Sequence, residues 1–143
     1  MSDLNFVIYQ NPIEVDYIQL QVGKGKKHQP SIYIDKEAFD CIRGVIWNKY
    51  REFGNQEKIN QIKKDDWLRI LQGFDEALVD LKTCNSSIDL VKILSIPNHL
   101  LIHKERFFES IKAIEEFIET LTDWIETNIR KEKSILIINH FIN

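Results

Sequence analysis

Four groups of residues in this 143-residue chain have the types and spacing for chemistry. The first is Gly23-Lys24-Gly25-Lys26-Lys27-His28, where backbone amides and lysines together would suit a phosphate. A P-loop is longer, ends in Gly-Lys-Ser/Thr and opens directly into a helix. Here Pro30 follows and both flanks read as strands, so the stretch reads as a solvated hairpin tip. A small nucleotide- or phosphate-binding protein or enzyme using Gly23–His28 is the alternative function. The second group, His99 and His103, has the i,i+4 spacing of a metal-binding pair on one helical face. Leu100-Leu101-Ile102 between them lacks the glutamate of a His-Glu-x-x-His site, and neither His28 nor His140 adds a ligand spacing. The third, Glu115-Glu116, is a carboxylate pair of the kind that divides acid and base roles. It alternates with apolar positions on a helix whose polar side should face water, where an acid catalyst has no cleft. No serine or cysteine sits in a nucleophile elbow, and there is no Gly-x-Gly-x-x-Gly. The expectation is therefore a protein that is not an enzyme, with no catalytic residue, cofactor or metal.

The fourth group is acidic. Glu105, Glu109, Glu116, Glu119, Asp123 and Glu126 fall on the polar side of one long helix. Several are i,i+3 or i,i+4 neighbours, where like charges are mildly destabilising. Lys112 and Arg130 offset only part of that repulsion. A face that keeps it suits a cationic partner, because complementary charge speeds encounter and sets specificity. These six residues are the candidate partner-binding set.

The helix that must carry them is the clearest element in the sequence. From 105 to 131 there is no glycine or proline, and Phe107, Ile111, Ile114, Ile118, Leu121 and Ile125 recur at steps of four and three. Phe117 and Trp124 widen its apolar side, which predicts contact with two elements at once. Before it, Leu4–Tyr9 reads as a strand ended by Asn11-Pro12, and Tyr17–Val22 alternates like a half-buried strand. Ile32–Ile34 reads as a third strand of an antiparallel meander. Asp35 sits where an N-cap belongs, ahead of one helix with the face Phe39, Ile42, Ile46 and Tyr50 and a stop at Gly54. Gly44 inside it costs about 1 kcal/mol relative to alanine. A polar connector follows, with a short helix around Glu57–Ile62 as one reading. Asp65 or Asp66 then caps a helix whose face is Trp67, Ile70, Leu71, Phe74, Leu78 and Leu81. Asn85-Ser86-Ser87 caps a shorter helix through Leu94. Leu100–Ile102 is open between a strand and the first turn of a helix capped by Asn98. The strand reading draws on the shared pattern Ile-x-Lys-Glu-x-Phe at 34–39 and 102–107. Ser134–His140 reads as a strand returning to the sheet.

The expected architecture is α+β: a small, mainly antiparallel sheet, built from the N-terminal meander and the C-terminal strand, packed against four or five helices. Residues 1–143 should form a single domain, and the length suffices for a core without staples. The 43% hydrophobic and 29% charged fractions are ordinary for a globular chain. A net charge of -3 and a pI near 5.8 argue against general nucleic-acid binding. Cys41 and Cys84 read as reduced, buried thiols. No secretory signal or bilayer-length apolar run is present, so the expected compartment is cytoplasmic.

In character the chain resembles small bacterial immunity proteins of contact-dependent growth-inhibition and polymorphic-toxin systems. The features that carry the likeness are an acidic chain rich in isoleucine, lysine and asparagine, without catalytic residues, together with the Ile34–Phe39 turn and the Lys133-Ser134-Ile135-Leu136-Ile137-Ile138 strand. Such families share no motif, so no residue's role carries over. The resemblance implies a tight complex with a cognate toxin domain, often a nuclease with a basic substrate cleft. In such a complex the acidic ridge would imitate phosphates, and neither nucleic acid nor membrane would be a partner.

Overall fold

Alternation of side chains sets the sheet. The computed structural model describes residues 6–23, 30–54, 58–95, 107–131 and 133–141. The described elements are β1 (Ile8–Tyr9), β2 (Tyr17–Val22), β3 (Ser31–Asp35), α1 (Lys36–Asp40), α2 (Arg43–Lys49), β4 (Ile59–Lys63), α3 (Lys64–Lys82), α4 (Ser87–Ile93), α5 (Phe107–Ile129) and β5 (Ser134–His140). The strands lie in the order β1-β3-β2-β5-β4, and every pairing is antiparallel. Ile18, Leu20 and Val22 of β2 and Ile32 and Ile34 of β3 are buried on one face. Ile62 of β4 and Ile135 and Ile137 of β5 are buried with them. The helices contribute Phe39, Ile46, Trp67, Ile70, Phe74 and the α5 seam to the same buried cluster. The architecture is thus α+β, with a small antiparallel sheet against several helices and one long helix among them.

β5 is an interior strand, bonded to β2 on one side and β4 on the other. That position explains its unbroken apolar run. Ile135 and Ile137 face the helices, while Leu136, on the other face, is flanked in register by Gln21 and Gln61 and is only 8% exposed.

Three expectations need correction. Residues 59–63 form a strand, not a connector or short helix. Asn60 disguises it, because a buried asparagine is unexpected in a strand. Its amide is satisfied by the backbone of Gly54, accepting from the N–H and donating to the C=O, both at 3.1 Å. Next, α3 starts directly from β4 with Lys63 as N-cap and no side-chain cap, so neither Asp65 nor Asp66 caps it. Both sit instead in the first turn, where their charge favours the helix dipole. Finally, the single helix expected after Asp35 is two, α1 and α2, separated at Cys41-Ile42. Asp35 does cap α1, accepting from the Glu37 N–H at 2.8 Å. Of the expected Leu4–Tyr9 strand, Ile8 and Tyr9 are paired while Phe6 and Val7 are not. Leu100–Ile102 and the second Ile-x-Lys-Glu-x-Phe pattern up to residue 106 lie outside the described residues.

Two glycines mark close approaches. A Cβ on Gly44 would collide with the Ser95 hydroxyl, and one on Gly73 would come within 2.9 Å of Lys49 Cγ and 3.1 Å of Val45 Cγ1. Gly73 is what lets α2 lie against α3.

α5 buries Ile111, Ile114, Phe117, Ile118, Leu121, Ile125 and Ile129, and it packs on both α3 and β5, the two contacts its wide apolar side predicts. Phe117 also meets the Phe6 ring, centroids 5.5 Å apart. Thr122 is 7% exposed, and its hydroxyl has no hydrogen-bond partner among the described residues. Thr122→Val keeps the shape and removes that unpaired group, so chemical denaturation should show a gain of about 1 kcal/mol. No helix of the described residues is long and apolar enough to cross a membrane.

Candidate functional site

The seam of α5 fixes its orientation, and the polar side follows from that. Glu109, Glu116, Glu119 and Asp123 are exposed and Glu126 is half-buried; Glu105 lies outside the described residues. Glu109, Glu116 and Asp123 recur every seven residues, so they stay nearly in line with about 10.5 Å between successive members and about 21 Å from end to end. Glu119 flanks the line one turn beyond Glu116. None of these carboxylates is ion-paired among the described residues. Ion pairs among the described residues lie elsewhere, as in Asp40 with Lys36 and Arg43, Lys49 with Glu76, and Arg69 with Asp66. Lys112 and Arg130 share the exposed side of α5 without closing onto the acids. The ridge is therefore a row of mostly negative charge at fixed spacing, only partly offset by Lys112 and Arg130 and without ion pairs among the described residues.

Of the other sequence candidates, only Gly23, Glu115, Glu116 and His140 lie among the described residues, and these four do not come together in one centre. β2 and β3 form a hairpin, closed by Val22 N–H to Pro30 C=O at 3.0 Å, with Gly23 at φ 74°. The glycine-lysine stretch thus joins two paired strands, although residues 24–29 themselves lie outside the described residues. His99 and His103 lie outside them too. Among the described residues no group of His, Cys, Asp and Glu is placed to hold a metal. Glu115 is half-buried and Glu116 exposed. Two surface depressions border α3. One of about 480 Å³ is bordered by Asp75, Glu76, Val79 and Asp80, and another of about 300 Å³ by Asp80, Thr83, Cys84, Asp89, Lys92 and Ile93.

Cys41 is fully buried, with its thiol donating to the Glu37 C=O at 3.5 Å. Burial, reinforced by the charges of Asp40 and Glu37, pushes the thiol from 9.0 up to about 12. Such a thiol is no nucleophile near neutrality. The folded state holds this proton more tightly than the unfolded chain. Its contribution is complete below pH 9 and is lost as pH rises from 9 towards 12, at a slope of up to about 1.4 kcal/mol per pH unit. Urea titrations between pH 8 and 11 should show that loss in the native protein and a shallower one in Cys41→Val.

Sequence reading did not assemble the open face of the sheet. Tyr17 stacks on His140, with centroids 4.6 Å apart and rings 18° from parallel, and meets Tyr33 edge-on at 5.7 Å. His140 Nε2 lies 2.8 Å from Gln19 Oε1, which makes that nitrogen the donor. Gln19 Nε2 in turn donates to Ser31 Oγ at 3.0 Å and Gln21 Oε1 at 3.2 Å. Partial burial, helped by the nearby Lys58 charge, lowers the His140 pKa. The alternation of Tyr17, Gln19 and Gln21 was visible in the sequence. The β2–β5 register that brings His140 beside Tyr17 was not. A second acidic group, Asp75 and Asp80 on the exposed side of α3, also escaped a reading that followed only the apolar face of that helix.

No protein-family model, curated protein or solved structure matches this chain.

Proposed function

We propose that the chain is a non-enzymatic inhibitor of a basic protein, an immunity protein of the kind its sequence resembles, that binds and neutralises a cognate bacterial toxin domain. The observation that carries this reading is the α5 ridge: exposed carboxylates, unpaired among the described residues, held at fixed spacing by a helix whose other side is locked into the core. Long-range attraction from such a row raises encounter rates with a positively charged cleft. Its spacing is rigid before contact, so little ordering entropy is lost on docking. A nuclease toxin supplies the complementary surface, because its substrate is a polyanion.

The test is co-expression with the variable C-terminal domain of a secreted protein encoded beside this chain. Growth arrested by the toxin domain alone should be restored. The purified pair should form a complex whose association slows by at least about 10-fold between 0.05 and 0.5 M salt, as steering by charge requires. Failure of rescue removes the immunity reading. Rescue with a salt-independent association rate removes the ridge from it.

A further inference from the structure

Among the described strands the sheet ends on β4, and no described strand pairs with its outer edge. Asn139 N–H donates to the Lys58 C=O at 2.8 Å and Lys64 N–H to the Lys133 C=O at 2.9 Å. With the register Asn60↔Ile137 and Ile62↔Ile135, these two bonds make 58, 60, 62 and 64 the positions that bond to β5. Antiparallel pairing alternates. It therefore turns the N–H and C=O of Ile59 and Gln61, and the N–H of Lys63, outward from the sheet. None of these groups is bonded to another residue among the described ones. The Lys63 C=O is taken up at the start of α3, since Lys63 is its N-cap. The opposite edge, β1, has only two residues, so β4 is the longer of the two templates for an added strand.

The side chains decide what can pair there. Ile59, Gln61 and Lys63 project to the open face, Ile59 being 51% exposed, and Lys58 and Lys64 flank the strand, both exposed. A second copy is a poor occupant. In the antiparallel register that uses all three outward positions, centred on Gln61, Lys58 stands opposite Lys64 at both ends and Ile59 opposite Lys63. Like charges directly opposite are destabilising, and lysines on an edge serve to discourage self-pairing. A strand of opposite charge meets none of these objections.

We propose that β4 accepts an extended acidic segment of a partner protein as a sixth strand, antiparallel to β4. Main-chain bonds to Ile59, Gln61 and Lys63 supply the affinity, and alternate side chains supply the choice of segment. Read from its N-terminus, the segment places an acidic residue opposite Lys63, a polar one two residues later opposite Gln61, and an apolar one two further on against Ile59. This surface is separate from the α5 ridge and calls for the opposite charge, so it stands or falls independently of the ridge.

The probe is a nine-residue peptide with Glu-Val-Thr-Val-Val at its centre. Amide exchange is followed by NMR on the whole protein. In the free protein the amides of Asn60 and Ile62 should be protected and those of Ile59, Gln61 and Lys63 should exchange fast. Saturating peptide should slow the latter three by at least about 10-fold, as new strand hydrogen bonds require. A peptide N-methylated at the central threonine, or carrying lysine for glutamate, should bind at least about 10-fold more weakly. Gln61→Pro removes an exposed side chain and an N–H that has no partner among the described residues, a change edge strands tolerate. It should abolish peptide binding while Asn60 and Ile62 remain protected. Lysine reversals on α5 should leave peptide binding unchanged. Equal binding of the glutamate and lysine peptides, no protection at the three outward amides, or dimerisation through β4 in sedimentation would each overturn the proposal.

Discussion

Changing Glu116, Glu119 and Asp123 together to lysine is expected to slow association with the proposed toxin partner about 100-fold at low ionic strength, within the range that electrostatic steering covers. All three side chains are exposed and none is ion-paired among the described residues, so the substitution breaks no described ion pair. It also leaves the fold's own electrostatics nearly balanced. Charges about 6 Å apart in water repel by about 0.7 kcal/mol whichever sign they share. Reversal therefore exchanges one mild repulsion for another, and Lys112, once an attractive neighbour of Glu116, becomes a repulsive one. The change in unfolding free energy should stay within about 0.5 kcal/mol, as for surface substitutions generally. Stopped-flow association, followed across salt concentration, separates the two effects. The native rate should fall with salt and the variant rate should rise, the two converging above about 0.5 M, where the screening length is only a few ångströms. Lys112→Glu, which extends the row, should speed association. A variant that associates at the native rate would show that the toxin docks elsewhere.

The ridge could be anticipated because everything that defines it is local. The apolar positions Ile111 to Ile125 set the phase of α5, and the phase places Glu109, Glu116 and Asp123 on the far side without reference to any other segment. The meander was legible for the same reason, since period-two alternation in Tyr17–Val22 contains its own facing. The elements that escaped depend on partners distant in sequence. β4 looked polar because Asn60, buried against the Gly54 backbone, reads as solvated; what makes the segment a strand is its pairing with β5. The break between α1 and α2 is a tertiary event as well. Ser95 N–H takes the Cys41 C=O at 3.0 Å, and Val45 N–H turns to Ile42 at 3.1 Å instead of continuing the helical ladder. Gly44, whose missing side chain admits Ser95, was noticed in the sequence as a weak point; its neighbour could not be read there. The Tyr17–His140 stack joins residues that only the β2–β5 pairing brings together.

Trp67→Ala should be the most damaging single truncation among the described residues, lowering stability by about 3–5 kcal/mol. α3 leaves β4 with no loop between them, and Trp67 lies one turn in, 1% exposed, where it holds the helix over the strands. Its indole N–H donates to the Ile135 C=O at 3.2 Å, on the interior strand β5. That carbonyl also faces the Ile62 N–H across the β4–β5 ladder, so removing the indole strands no buried acceptor. The loss is therefore mainly one of packing, and Trp67→Phe, which keeps most of the volume, should cost only about 1–2 kcal/mol. Leu68, the next residue, is 46% exposed, and its truncation should cost no more than about 0.5 kcal/mol. Urea midpoints of the three variants give the ranking directly. A domain of this size has about 5–15 kcal/mol in total, so the alanine variant should sit near its folding threshold. Among the described strands β4 pairs with β5 alone, and Trp67 clamps the helix that leaves it. Faster amide exchange at Asn60 and Ile62 than at Leu20 and Ile32 should accompany the loss in Trp67→Ala. Uniform exchange across the sheet would mean that β4 draws its stability from the β5 ladder alone.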